Sequence, residues 1–564
     1  IFIEKMDRFD INKLYFKDTS FANLMQKRIY NVLLLASKYD AFALEEDGRI
    51  DEQIFNEYTS LNLRYPPRFT LVSNEKQAKK ELKSRNFDLI ISMPSGDSIN
   101  PFEWAKSIKK RFPEIPIVVL TPFSREVSQR IANEDLSAID YVFSWLGEFN
   151  LLLAIIKLIE DKMNVEEDVA SVGVQVILLV EDSIRFYSSM LPHLYRFVFK
   201  QSRSFMTEAL NEHEQMLRMR GRPKILLART YEEAMFLYEK YKNNMLGVIT
   251  DVNFKSGGRK EKRAGIRFCE NIRKNNKDIP LIINSSEEEN RVYADELNAH
   301  FIDKNSKTMH LQLRSYITDY FSFGDLVIKD KKTGKEELCI QNLKDLQDSI
   351  FKISDEALFE EISHNKISQW LYSRAMFPLA EFLQNIHTTD NSTENLQRAR
   401  QIIFNAIVAY RKTKNKGVVA IFQRERFDQY SNFARIGNGS LGGKGRGLAF
   451  IDAMIKRNSA LDNFKNVQIS IPKTLVLCTD VFSEFMETNQ LYPIALSDAS
   501  DEEILKAFLS ARLPQTVRED LNAFLNVIKA PLAIRSSSLL EDSHYQPFAG
   551  IYSTYMVPYN ADNF

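Results

Sequence analysis

The chain has 564 residues, enough for roughly three to four domains. Lys plus Arg and Asp plus Glu balance at 75 each, so no overall field recruits nucleic acid or an acidic membrane. Three scattered cysteines (Cys269, Cys339, Cys478) argue against a disulfide framework or a zinc site and for a reducing cytoplasm, and no apolar run reaches membrane-spanning length.

Residues 1–28 read as an N-terminal extension. Within 29–165, four apolar runs of strand length (31–37, 87–93, 116–121 and 140–144) alternate with helical patterns. The segment 174–325 repeats the arrangement, with equivalent positions about 145 to 164 residues later. Its strands end differently. VILLVED ends in Glu181 and Asp182, LGVITD in Asp251, PLIINSS in Ser285 and Ser286, and HFIDK in Lys304. Strands of this length separated by helices imply a parallel sheet, whose strand C-termini share one edge. These residues then converge, although Glu181 and Lys304 are 123 positions apart. Three carboxylates form a hard oxygen site suited to Mg²⁺. Asp251 is the candidate phosphoacceptor, Lys304 would pair with phosphoryl oxygens, and the Ser285 hydroxyl would hydrogen-bond them.

This order of residues resembles the receiver domain of bacterial response regulators. The resemblance implies a flavodoxin-like (βα)5 fold, phosphorylation of Asp251 by a histidine kinase or a small phosphodonor, Phe301 as an aromatic switch residue, and the Asn253 main-chain carbonyl in the metal shell. Asn305 departs from the family's usual proline, and 200–222 read as an insertion or an extended helix. The acids could also be retained without being phosphorylated. By the same resemblance 29–165 is a degenerate pseudo-receiver. Ala36 and Ser37 stand in place of the acid pair, Met93 in place of the phosphoacceptor and Ser144 in place of the lysine, while Thr121 remains. Methionine neither attacks phosphorus nor binds Mg²⁺. Asp40 lies near, as a loop or cap residue. The copy serves either as a packing module, giving a homodimer, or as a spacer.

From 326 to 430 a helical connector is expected, with apolar spacing of three and four (Leu343, Leu346, Ile350; Ile367, Trp370, Leu371), Pro378 in a first turn and a capped helix from about Thr393. The basic runs 259–263 and 411–416 read as solvated loops. No two of the seven histidines have metal-ligand spacing.

The most specific signal lies in 431–564. In LGGKGRGLAF, Gly442, Gly443, Gly445 and Gly447 free the backbone and Lys444 is expected just before a helix N-terminus, where unpaired N–H groups favour a phosphate. In AIRSSSLLEDSHYQPFAG, an apolar strand delivers Arg535 beside Ser536, Ser537 and Ser538, with Gly550 in a closing turn. The first motif alone is weak, since the Walker spacing is missing. The ordered pair resembles the N-terminal nucleotide-binding part of phosphoenolpyruvate synthase and pyruvate phosphate dikinase. That resemblance implies an ATP-grasp-like domain whose Lys444 and Arg535 contact ATP phosphates. Glu541 and Asp542 match the family's acidic pair, either as metal ligands or as a solvated loop. His544 reads as an exposed polar residue.

The expectation is an α/β multidomain chain: two flavodoxin-like receiver domains in tandem, a helical connector, and the start of the nucleotide-binding domain. The resemblance implies ATP and pyruvate as substrates and Mg²⁺ as cofactor, with no nucleic-acid or membrane partner. A chain beginning with Ile1 and stopping at Phe564, without the family's carrier histidine, reads as a fragment unable to turn over. A two-component signalling protein with a nucleotide-domain scaffold, and a dikinase with another acceptor, stay open.

Overall fold

The computed structural model describes residues 16, 19, 21–45, 48–61, 63–94, 101–122, 135–145, 149–205, 215–216, 218–329, 334–386, 392–458, 460–461, 464, 467, 469–538 and 550–559. Strands β1 (Asn31–Leu35), β2 (Arg68–Val72), β3 (Leu89–Ser92), β4 (Ile117–Pro122) and β5 (Tyr141–Trp145) form a parallel sheet in the order β2-β1-β3-β4-β5. A second sheet follows the same plan. Strands β6 (Val176–Val180), β7 (Lys224–Ala228) and β8 (Met245–Asp251) are joined by β11 (Leu281–Ser285) and β12 (His300–Asp303), in the order β7-β6-β8-β11-β12. In both, the first strand lies second and the chain then crosses to the other side, so a switch point forms at the strand C-termini. Helices cover both faces, which is why these strands are apolar runs without alternation. Between β8 and β11 a short antiparallel hairpin stands out, β9 (Phe254–Ser256) and β10 (Arg259–Glu261).

The Asn150–Val172 helix joins the two sheets. Its N-terminal half is buried on nearly every side (Leu151 to Ile159), as expected for a helix packed between layers. Further along it carries buried charges that meet the edge of the second sheet. Asp161 accepts two bonds from the Arg222 guanidinium (2.7 and 3.0 Å) and one from the Tyr195 hydroxyl (2.9 Å), and Asp168 pairs with Lys224 at 2.9 Å. One apolar core runs through both units, from Val32 and Leu120 to Ile177 and Ile282. The Ile184–Phe205 helix runs into the start of the 200–222 stretch read as an insertion or an extended helix; residues 206–214 and 217 of that stretch lie outside the described residues.

The connector departs from an all-helical reading. It opens with an antiparallel hairpin, β13 (Leu326–Lys329) and β14 (Glu336–Ile340), in which Leu338 is a strand residue. Alternating burial of β13 (Leu326 and Ile328 inside, Val327 and Lys329 outside) is the period of a one-faced strand. Among the described residues five helices follow, ending with Thr393–Asn415, and Pro378 occupies the first turn of Phe377–Gln384. This long helix absorbs most of the 411–416 basic run, so those residues are not a solvated loop: Arg411 pairs with Asp428, and Lys414 is 8 % exposed. Phe16 packs edge-on against Phe382 and Tyr410 of the connector.

The C-terminal unit has a parallel sheet of β15 (Ala420–Ile421), β16 (Phe433–Ile436) and β17 (Thr474–Leu477), and a separate antiparallel pair, β18 (Leu532–Ile534) and β19 (Tyr555–Val557). Among the described residues no helix is long and apolar enough to cross a membrane.

Candidate functional site

The strand order brings the acids of the second sheet together. Glu181 and Asp182 follow β6, and Asp251 ends the adjacent β8. Glu181, Asp182 and Asp251 each offer a carboxylate oxygen within 4.8 Å of the others. From the far edge, Lys304 reaches in after β12, its Nζ 2.5 Å from Glu181 Oε2 and 3.0 Å from Asp251 Oδ1. The ammonium also lies over the Phe186 ring, 4.5 Å from its centroid. The Val252 N–H donates to Asp251 Oδ1 at 2.7 Å, and the Ser183 N–H donates to Glu181 Oε1 at 3.1 Å. Asp251 Oδ2 accepts no hydrogen bond among the described residues, which leaves it as the oxygen open to chemistry. Gly265 fixes the loop behind: a Cβ there would sit 1.9 Å from the Asp251 carbonyl oxygen.

Burial pushes the Glu181 carboxyl up to about 7; Lys304 pulls it down and Asp251 adds to the rise. Asp182 is also raised by burial, opposed most by Lys260. Lys260 and Lys255 come from the β9–β10 hairpin, so part of the 259–263 run is ordered strand beside the acids and not a solvated loop. The sequence signal for it was Gly257-Gly258, a two-residue turn with φ of +57° and +77°. The donor set fits Mg²⁺: three carboxylates, two of which share a single lysine here.

The other expected residues lie around this edge in specific states. Ser285 is buried, and its Oγ accepts from Asn290 Nδ2 (2.9 Å) and the Glu287 N–H (3.1 Å), so the hydroxyl is held by its own loop and not by the acids. Phe301 is 5 % exposed with the Arg291 guanidinium 4.7 Å above its ring. The Asn253 side chain accepts from the Arg263 N–H at 3.2 Å. Asn305, in place of the expected proline, donates from Nδ2 to the Ser286 carbonyl at 3.3 Å. In the first sheet the matching positions are closed. Ser37 caps the Lys38–Leu44 helix and donates to Asp40 at 2.6 Å; Met93, Thr121 and Ser144 are buried, and the Ser144 N–H donates to Ser188 Oγ at 2.9 Å.

The second candidate site is where the two C-terminal motifs meet. The helix begins at Gly442 (Gly442–Arg457), so Lys444 stands within its first turn and not before it. Ser537 reaches that turn from 92 to 96 positions away. Its carbonyl accepts from the Gly443 N–H at 2.9 Å, its Oγ accepts from the Gly445 N–H at 2.9 Å, and the hydroxyl donates to the Leu441 carbonyl at 2.6 Å. These helix-start N–H groups are therefore capped by the serine motif and not open to a ligand. Gly442 has φ of +73°, and a Cβ on it would lie 1.6 Å from the Ser537 carbonyl oxygen, so no other residue allows the approach. Arg535 directly follows β18 and is exposed, and Ser536 Oγ accepts from the Ser538 N–H at 3.2 Å. Gly550 (φ +84°) is exposed, with nothing within 4 Å of where a Cβ would stand. Glu541, Asp542 and His544 lie outside the described residues.

Sequence reasoning missed the brace under this turn. Asp480 accepts from the Asn438 N–H (2.7 Å) and the Gly439 N–H (2.9 Å), and Thr479 Oγ1 accepts from the Ser440 N–H (2.9 Å). Burial raises the Asp480 carboxyl, but the backbone donors outweigh it and hold it below its ordinary value. Residues 438–564 match the family model described as pyruvate phosphate dikinase, AMP/ATP-binding domain. No curated protein matches the chain at a significant level. Two solved structures of two-component system response regulator/GGDEF domain proteins share 13 % identity over 51 % of this chain and 96 % of theirs, with TM-scores of 0.22 and 0.23. At those scores the likeness carries no argument.

Proposed function

We propose that the chain carries the ATP-binding part of a phosphotransferase resembling phosphoenolpyruvate synthase, which converts ATP, pyruvate and water to AMP, phosphoenolpyruvate and phosphate, under control of a flavodoxin-like receiver phosphorylated at Asp251. The nucleotide reading is supported by one observation above the rest: Ser537 joins the glycine turn to the serine motif, so Lys444 and Arg535 belong to one loop assembly within the matched 438–564. Lys444 and Arg535 would stabilise charge on the transferring phosphoryl group. Binding of a non-hydrolysable ATP analogue, measured by calorimetry, should weaken at least about tenfold in Lys444→Ala and in Arg535→Ala. Unchanged binding in both defeats the reading.

For the switch, Asp251 Oδ2 attacks the phosphorus of an acyl-phosphate donor, the bond to the donor's carboxylate breaks, and an aspartyl phosphate forms. Glu181, Asp182 and Asp251 would hold Mg²⁺, which when bound neutralises the phosphoryl oxygens. Lys304 would transfer its contact from Asp251 to the new phosphoryl group. Ser285 must release Asn290 and Glu287 to join it, which makes the Glu287–Asn290 turn the element that moves.

A second reading, a signalling protein whose nucleotide unit is a scaffold, is favoured by the capped N–H groups of Gly443 and Gly445. The same calorimetry separates the two.

A further inference from the structure

The β9–β10 hairpin crosses the mouth of the acid pocket. Its first strand leaves the end of β8, and Lys255 bridges to Thr230, which follows β7. Strand β6 lies between β8 and β7, so the chain from Asp251 to Lys255 passes over the end of β6, where Glu181 and Asp182 stand. The Gly257 N–H at the tip donates to Glu232 Oε1 at 2.8 Å. One face of the hairpin is occupied. Phe254 is buried, and Arg267 Nη2 donates to Ser256 Oγ and to Glu261 Oε2, each at 2.9 Å. Side chains alternate along a strand, so the other face belongs to Lys255 and Lys260, which are direct cross-strand partners.

Two lysines set opposite each other repel and weaken a two-stranded ribbon. Both are exposed, and neither forms an ion pair among the described residues. Their face is turned to the pocket: burial raises the Asp182 carboxyl, and Lys260 and Lys255 both pull it back. An anion leaving the pocket would meet both cations and relieve their repulsion.

We propose that Lys255 and Lys260 receive the leaving group of the phosphodonor, which makes that donor a small acyl phosphate; this rests on Asp251 being the acceptor. Asp251 Oδ2 forms a bond to phosphorus, and the P–O bond to the acyl group breaks with its electron pair on the departing carboxylate. Attacking and leaving oxygens stand roughly in line, so the carboxylate exits away from the pocket floor, past the hairpin. Lys304 lies deep, held between Glu181 and Asp251, and three carboxylates surround the reaction. Cations already in place at the mouth stabilise the new negative charge without reorganising. A donor with a P–N bond, such as phosphoramidate or the phosphohistidine of a kinase, is protonated on nitrogen and releases a neutral base. Such a donor gains nothing from the lysine pair.

The test compares initial labelling rates of the whole chain with Mg²⁺, read by intact mass, for acetyl phosphate and for phosphoramidate. When Lys255→Gln and Lys260→Gln are combined, the acetyl phosphate rate should fall about tenfold more than the phosphoramidate rate. Lys255→Arg with Lys260→Arg should keep the wild-type ratio of the two rates, and added salt should shrink the difference between wild type and the glutamine variant. The urea midpoint of the glutamine variant should stand at or above that of wild type, because a repulsion is removed. Equal falls with both donors, or no fall with either, while Asp251 is still labelled in the wild type, overturn the leaving-group role alone. A wild type that neither donor labels sinks the acceptor reading and this proposal together.

Discussion

The two five-stranded sheets share strand order and differ at a handful of strand ends. In the second, β6, β8 and β12 lead to Glu181, Asp251 and Lys304, which form a charged contact. In the first, the corresponding positions are Ala36, Met93 and Ser144, buried and uncharged. Strand interiors such as Val32–Leu35 and Val176–Val180 are equally buried in both, so the fold rests on residues that the chemistry does not touch. A doubly wound sheet can lose its acid set without losing its architecture, because the site occupies only the ends.

The sharpest way to test that contrast is chemical. With Mg²⁺ and an acyl-phosphate donor, intact mass should show one added phosphoryl group per chain, and Asp251→Asn should show none. A label that persists in Asp251→Asn would place the acceptor elsewhere. Next is the lysine. Lys304→Met strands two buried carboxylates and should cost about 3 kcal/mol in urea unfolding, with Mg²⁺ restoring part of it. No loss would mean the pair is not felt in solution. The converse substitution, Met93→Asp, places a carboxylate in the first sheet without a lysine to meet it. A loss of about 2 kcal/mol and no phosphorylation are expected; labelling at residue 93 would show that the copy is not degenerate.

The smallest effect concerns acid. The 29–165 unit has no histidine, whereas the second unit sets His193 against His310 at a tilt, with ring centroids 3.8 Å apart. Burial, reinforced by His193, holds His310 down at about 4. Between its ordinary value and about 4 the unfolded chain binds a proton that the folded chain refuses. Stability is therefore complete above about 6.5 and is lost as pH falls toward about 4. The ring is half exposed, so about 1 kcal/mol is expected after screening. His310→Phe should flatten this acid limb in a pH series of urea midpoints, and an unchanged limb would rule the pair out as its source.

The parallel strands could be read directly, since a continuous apolar run of five or so residues that stops at an acid, a hydroxyl or a lysine is the pattern of a buried strand with a functional end. Parallel order then brings Glu181, Asp251 and Lys304 to one edge without knowledge of any side-chain contact. What escaped were features set by distant partners. Ser537 caps a helix that starts 95 positions earlier, and nothing local marks it as a cap. Arg411 and Lys414 resemble surface charge until the N-terminal segment and the 426–428 loop are packed over them. The short β13–β14 hairpin, with Lys329 paired to Glu336, reads in sequence as part of a helical connector, and the Gly257-Gly258 turn was a local signal for the other hairpin that went unused.

The Asn150–Val172 helix has one more implication, for inheritance. Its side chains are walls of both sheets, and its buried Asp161 and Asp168 meet their opposite charges, Arg222 and Lys224, across the boundary. Deleting residues 29–165 would strip cover from the second sheet and orphan Arg222, the partner of Asp161. A unit in that position can lack the acid set of its neighbour and still be impossible to discard.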